Sequence, residues 1–125
     1  MTSTLIPVAL GGAIGASLRY LAGIAAVRLL GHGFPWGTLT VNILGSFLMG
    51  VIVVLLSHFN GNRFAPFLMT GVLGGFTTFS AFSLDAVTLY ERGEMGAVAL
   101  YVTVSVGLSI AALFIGATLA RSILS

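Results

Sequence analysis

The sequence predicts an all-α membrane protein with four transmembrane helices per chain, and three observations lead to it. Of the 125 residues, 58% are hydrophobic and 6% charged. The mean hydropathy is +1.13, and the apolar residues fall into four long runs divided by short polar stretches. Soluble domains carry about 25% charged residues. A bilayer core of ~30 Å takes roughly 20 helical residues per crossing, so four crossings use up the chain as a single transmembrane domain, residues 1–125. Cysteine is absent, which excludes disulfides and thiolate metal sites. All five basic residues are arginines, at 19, 28, 63, 92 and 121, and the net charge is +2. They form no patch, so nucleic acid is excluded as a partner. The N-terminal residues 1–7 hold no basic group, and the apolar run behind them is too long for a cleaved signal, so it reads as the first span. No catalytic constellation stands out, and the expected class is not an enzyme.

Span 1 covers about residues 5–27. Gly11 and Gly15 form a GxxxG pair beside Gly12 and Ala16, a face built for close helix contact. Arg19 follows at the next four-residue step and projects from the same face, away from lipid. Two readings stay open for it: snorkelling to the nearer interface, or lining a water-filled entrance. The loop that follows holds Gly31, Gly33 and Pro35, which end one helix and reset the next, and Trp36 marks the interface. His32 and His58 have no visible partner and receive no role.

Span 2 covers about residues 37–57. Thr38, Asn42, Ser46 and Gly50 recur every four residues, a polar and small stripe on an otherwise Leu, Val and Ile helix. An unpaired amide in hydrocarbon is costly, so Asn42 must face another helix or water. Bonding between helices and contact with a permeating solute explain it equally well.

Span 3 covers about residues 66–90, longer than a crossing needs, as a helix interrupted at residues 74–78 would be. Gly74-Gly75 favours a break and Thr77-Thr78 offers hydroxyls to cap the freed backbone groups, so the third helix is expected to be broken at mid-membrane. Beyond it, Phe79 and Phe82 share one helical face, with Asp85 and Ala86 continuing toward the membrane edge. Core packing is the ordinary meaning of such a pair. The hydroxyls of Thr78, Ser80 and Ser83 beside the rings argue for a wet surface instead. An aromatic ring has a partly positive edge, which can touch a small anion without binding it as a full charge would.

Span 4 covers about residues 95–120. Tyr101, Ser105 and Ser109 recur every four residues and form a hydroxyl track along one side. Singly, each serine would bond back to its own helix; three in line favour a wet face. Ala112 and Gly116 supply a small-residue contact.

With four spans, the termini and second loop share one side with Arg63 and Arg121, against Arg28 and Arg92 opposite, plus Arg19 if it snorkels that way, so the arginine bias is zero or one. Such a chain can insert both ways and pair with its inverted copy, bringing two broken helices together at the midplane. An antiparallel, dual-topology homodimer is therefore expected.

These motifs resemble the Fluc (CrcB) family of bacterial fluoride channels across all four spans. Gly74-Gly75-Phe76-Thr77-Thr78-Phe79-Ser80 is similar to the family's third-helix signature, the most specific of the three. Residues 11–20, GGAIGASLRY, are similar to its first-helix pattern, and residues 37–45, GTLTVNILG, to its second. Ala81 departs from the pattern, standing where many members have threonine. The resemblance implies a fluoride-selective channel in the bacterial inner membrane, embedded in lipid, whose antiparallel dimer holds two fluoride pathways and a central structural sodium ion (Na+). Backbone carbonyls of Gly74 and Thr77 from both copies would hold the sodium. Phe79 and Phe82 would meet fluoride with their ring edges beside Thr78, and Asn42 would act as an amide donor. Tyr101, Ser105 and Ser109 would form the polar track with Asp85 at its end, and Arg19 and Thr38 would belong to the aqueous entrance. Transport would be passive export of fluoride trapped after hydrogen fluoride enters and dissociates. A proton-coupled exporter, the main rival, needs an intramembrane carboxylate, which spans 1, 2 and 4 lack. An accessory subunit, the third class, leaves the aligned polar tracks without a purpose.

Overall fold

The computed structural model describes residues 2–125. Helix α1 spans Thr2–Leu30 and α2 spans Trp36–His58. The third stretch opens with a 3-10 turn at Asn62–Phe64, runs as a π-helix over Pro66–Leu73 and ends in a single α-turn, α3, at Gly74–Phe76. Helix α4 follows at Phe79–Glu91 and α5 at Met95–Leu124. Four helical stretches are long and apolar enough to cross a membrane: Ser3–Leu30, Trp36–His58, Asn62–Glu91 and Met95–Leu124. The described residues contain no strand.

The helices run past the apolar cores of the predicted spans until a residue stops them. Gly31 does so at φ +86°, with its N–H on the Val27 carbonyl at 2.9 Å. Gly93 does so at φ +78°, while Glu94 N–H reaches back to Leu89 at 3.1 Å. Both are left-handed caps that a residue with a side chain adopts only with strain.

α1 packs chiefly on the third stretch, and α2 on α5. Glycines set both contacts. A Cβ on Gly11 would run into the Phe67 carbonyl, and one on Gly15 into the Val72 carbonyl. From the facing side, a Cβ on Gly75 would lie 2.7 Å from the Gly12 carbonyl oxygen, and one on Gly71 2.9 Å from Gly11 Cα. Two glycine pairs thus press backbone against backbone. The α2·α5 contact repeats the device, with Gly50 against the Leu113 carbonyl and Gly116 against that of Phe47. Large apolar side chains such as Leu29, Phe114 and Ile123 point outward, as expected where lipid is the solvent. One inward cluster, Leu39, Leu89 and Tyr101 with Phe34 and Phe82 against it, supports the polar region between α2, α4 and α5.

Candidate functional site

Thr77 (φ −85°, ψ 159°) and Thr78 (φ −153°, ψ 120°) are extended, so the backbone bonds of a continuous helix are redistributed around them. Thr77 N–H still reaches the Leu73 carbonyl at 3.0 Å. Thr78 N–H, which a helix would give to Gly74, is donated to Asn42 Oδ1 at 2.7 Å, and Asn42 Nδ2 donates to the Thr78 carbonyl at 2.9 Å. One amide on α2 therefore holds both backbone groups of Thr78. The Gly75 carbonyl accepts from Arg19 Nε at 3.1 Å, one step beyond the glycines that bring α1 this close. Thr77 Oγ1 donates to the Leu73 carbonyl at 2.9 Å, and its methyl occupies the space that Gly45 leaves open. Thr78 Oγ1 accepts from Ala81 N–H at 3.1 Å and caps α4. Its hydroxyl also lies 3.3 Å from that of Ser80.

Phe79 and Phe82 have ring centroids 5.6 Å apart, tilted by 46°. They differ in setting. Phe79 is 77% exposed in the single chain, whereas Phe82 is half-buried, 5.2 Å from the Tyr101 ring. Tyr101 is fully buried and its hydroxyl donates to Asp85 Oδ2 at 3.1 Å. Ser105 is buried, and its hydroxyl has no partner among the described residues. Ser109 is half-buried one turn on.

Two cavities meet at Thr78. The first, about 610 Å³, has Arg19, Thr38, Thr78 and Asp85 on its wall. Arg28, His32 and Arg92 join them there. The second, about 360 Å³, is bounded by Asn42, Thr77, Thr78, Phe79, Phe82, Ser105 and Ser109, with Ser46 among them. Tyr101 lines neither cavity but touches a wall residue of each, bonded to Asp85 of the first and packed at a 40° tilt against Phe82 of the second. Gly74 borders neither cavity and lies exposed on the chain's surface. The sequence weighed two roles for Arg19; it both faces the first cavity and bonds the Gly75 carbonyl. The convergence of Arg28, His32 and Arg92 is not legible from spacing, because they come from the last turn of α1, the connection after it and the C-cap of α4.

Fold and site together define a class: a small four-span membrane protein in which two extended residues, clamped from neighbouring helices, separate a charged cavity from a neutral, donor-lined one. The chain belongs to the CrcB family, its residues 6–117 matching the family described as CrcB-like protein, Camphor Resistance (CrcB). It is 65% identical over 121 residues, 97% of each chain, to a protein of Cereibacter sphaeroides named fluoride-specific ion channel FluC. Proteins of the same name from Ruegeria sp. (strain TM1040) and Agrobacterium fabrum are 62% and 56% identical, covering 100% of each chain and 93% of this chain with 94% of the other, respectively.

Proposed function

We propose that the protein is a fluoride-selective channel for passive export, working as an antiparallel homodimer in the bacterial inner membrane, with two pathways and a structural sodium ion between the copies. The observation that carries this reading is the pair of cavities meeting at Thr78, in a chain whose relatives bear the name fluoride-specific ion channel. Arg19 and Thr38 draw the anion into the first cavity. Past Thr78, the edges of Phe79 and Phe82 and the hydroxyls of Ser105 and Ser109 replace part of its hydration. Asn42 offers its remaining N–H, while Tyr101 and Asp85 hold the wall between the cavities.

The sodium reading rests on the Gly74 and Thr77 carbonyls. Thr78 N–H has been diverted to Asn42, so the Gly74 oxygen lacks its helical donor, and Thr77 is extended. Neutral main-chain oxygens are hard ligands suited to an alkali cation. A chain offers two of them, and a second, inverted copy would complete the cage. The exposure of Gly74 and Phe79 supports a partner covering this surface. The ion would neutralise the facing carbonyls and tie the copies together.

Purified protein in liposomes, followed with a fluoride electrode, is expected to give rapid efflux indifferent to a proton gradient. Strict proton coupling, or no flux from verified dimers, would reject the channel. Phe79→Ile is expected to cut flux sharply with dimerisation intact; unchanged flux removes the ring-edge mechanism. Replacing sodium with a bulky organic cation is expected to weaken the dimer, and a dimer equally stable without sodium removes the central ion.

A further inference from the structure

We infer that Ser46 is a further anion-binding group of the second cavity, supplying from α2 the hydroxyl that faces the α5 serines. The inference rests on the channel reading, but its argument comes from the amide beside it. Asn42 accepts from Thr78 N–H and donates to the Thr78 carbonyl, so its oxygen and one N–H are committed to the backbone. Of an amide's two N–H groups, one is left for a solute. The next polar group on the same helical face, one turn along, is Ser46, which borders the second cavity with Ser105 and Ser109.

The Ser46 hydroxyl is not returned to its own helix. Ser17 and Thr88 bond the carbonyls four residues back, those of Ala13 and Leu84, whereas no such bond holds Ser46. Beyond it the stripe closes, because Gly50 lies against the Leu113 carbonyl of α5. Ser46 is therefore the last donor α2 can present before the helices meet. A hydroxyl there carries no net charge, so it can bind a small anion without holding it permanently.

The chain has no cysteine, which makes a single introduced thiol a clean probe. Ser46→Cys in intact membranes is expected to react with a charged, water-soluble methanethiosulfonate, while Leu44→Cys, at a site 46% exposed on the outward face, is expected not to. In liposomes, Ser46→Ala is expected to lower fluoride flux about tenfold or more, the loss of a hydrogen bond to an ion. Ser46→Thr, which keeps the hydroxyl, is expected to stay within about threefold of wild type. An unreactive Ser46→Cys, wild-type flux from Ser46→Ala, or equal losses in the alanine and threonine variants would each overturn the assignment. Absence of fluoride flux from the wild-type protein itself would count against the channel reading, while the labelling still decides whether Ser46 faces water.

Discussion

Gly15→Ala sets helix propensity against packing, and the structure says which wins. A Cβ at Gly15 would overlap the Val72 carbonyl oxygen and lie 2.8 Å from Phe76 N and 2.9 Å from the Val72 carbonyl carbon. All three are backbone atoms of the neighbouring stretch, so no rotamer change relieves the clash and α1 must move away. Overpacking of this kind costs about 1–3 kcal/mol. The movement also pulls Arg19 from the Gly75 carbonyl, where the bond is already 3.1 Å. A hydrogen bond from a charged group contributes about 1.5–3 kcal/mol. Against these stands a gain of about 1 kcal/mol from replacing glycine inside a helix. The net is a destabilisation of about 1.5–5 kcal/mol. Gly12, three residues earlier, has open space where its Cβ would go, so Gly12→Ala keeps the propensity gain alone and is expected to be neutral or mildly stabilising. Thermal loss of detergent-solubilised protein, followed by size-exclusion chromatography, compares the two. Gly15→Ala surviving heat as well as Gly12→Ala would refute the backbone-on-backbone contact and Arg19's dependence on it.

Asn42→Leu removes both bonds to Thr78 and is expected to cost about 1–3 kcal/mol for each backbone group left unpaired, less where cavity water substitutes. Asn42→Asp keeps an acceptor for Thr78 N–H but turns an oxygen toward the Thr78 carbonyl, so it is expected to lose flux as well as stability. Either variant matching wild type in thermal stability would show that the amide does not hold Thr78. Gly45→Ala places a Cβ on the Thr77 methyl and is expected to lower flux and stability, whereas Thr77→Ser deletes that methyl. The double variant is expected to recover most of the loss, a coupling that a thermodynamic cycle on stability measures. Simple additivity would mean the two residues do not share that space.

The four helical stretches were legible because nothing but a membrane accommodates runs of such length and hydropathy. Their ends were less so. Hydropathy fades before helix geometry stops, and α1 continues through Arg28, Leu29 and Leu30 to the cap at Gly31. At residues 74–78 the roles were harder to divide. Gly74-Gly75 read as the break itself, with the threonines as caps, but both glycines are helical, and Gly75 uses its missing side chain for contact with α1. The extended residues are the threonines. A glycine that yields space and one that yields flexibility look alike until its neighbour is known. Asn42 was undecided for the same reason: its partner, Thr78, lies 36 residues away, beyond any local periodicity.

The distribution of charge bears on how such a passage could conduct. The first cavity is lined by Arg19, Arg28 and Arg92 against Asp85, and Asp85 is held by the Tyr101 hydroxyl. Among the described residues, no ionisable one lines the second. A fixed cation about 4 Å from an anion, at the effective dielectric of about 20 that suits a protein surface, attracts it by about 4 kcal/mol. Placed at the narrow point, that attraction would slow departure by roughly a thousandfold. Placed in a wide, wet entrance, it is screened within a Debye length of about 10 Å and raises the local anion concentration without trapping any one ion. Arg19 bonds the Gly75 carbonyl and lines the first cavity, not the second; if the first cavity is the entrance proposed above, its charge meets both demands. On that proposal, the residue that anchors the end of α3 would also leave positive charge outside the second cavity, where it would slow conduction.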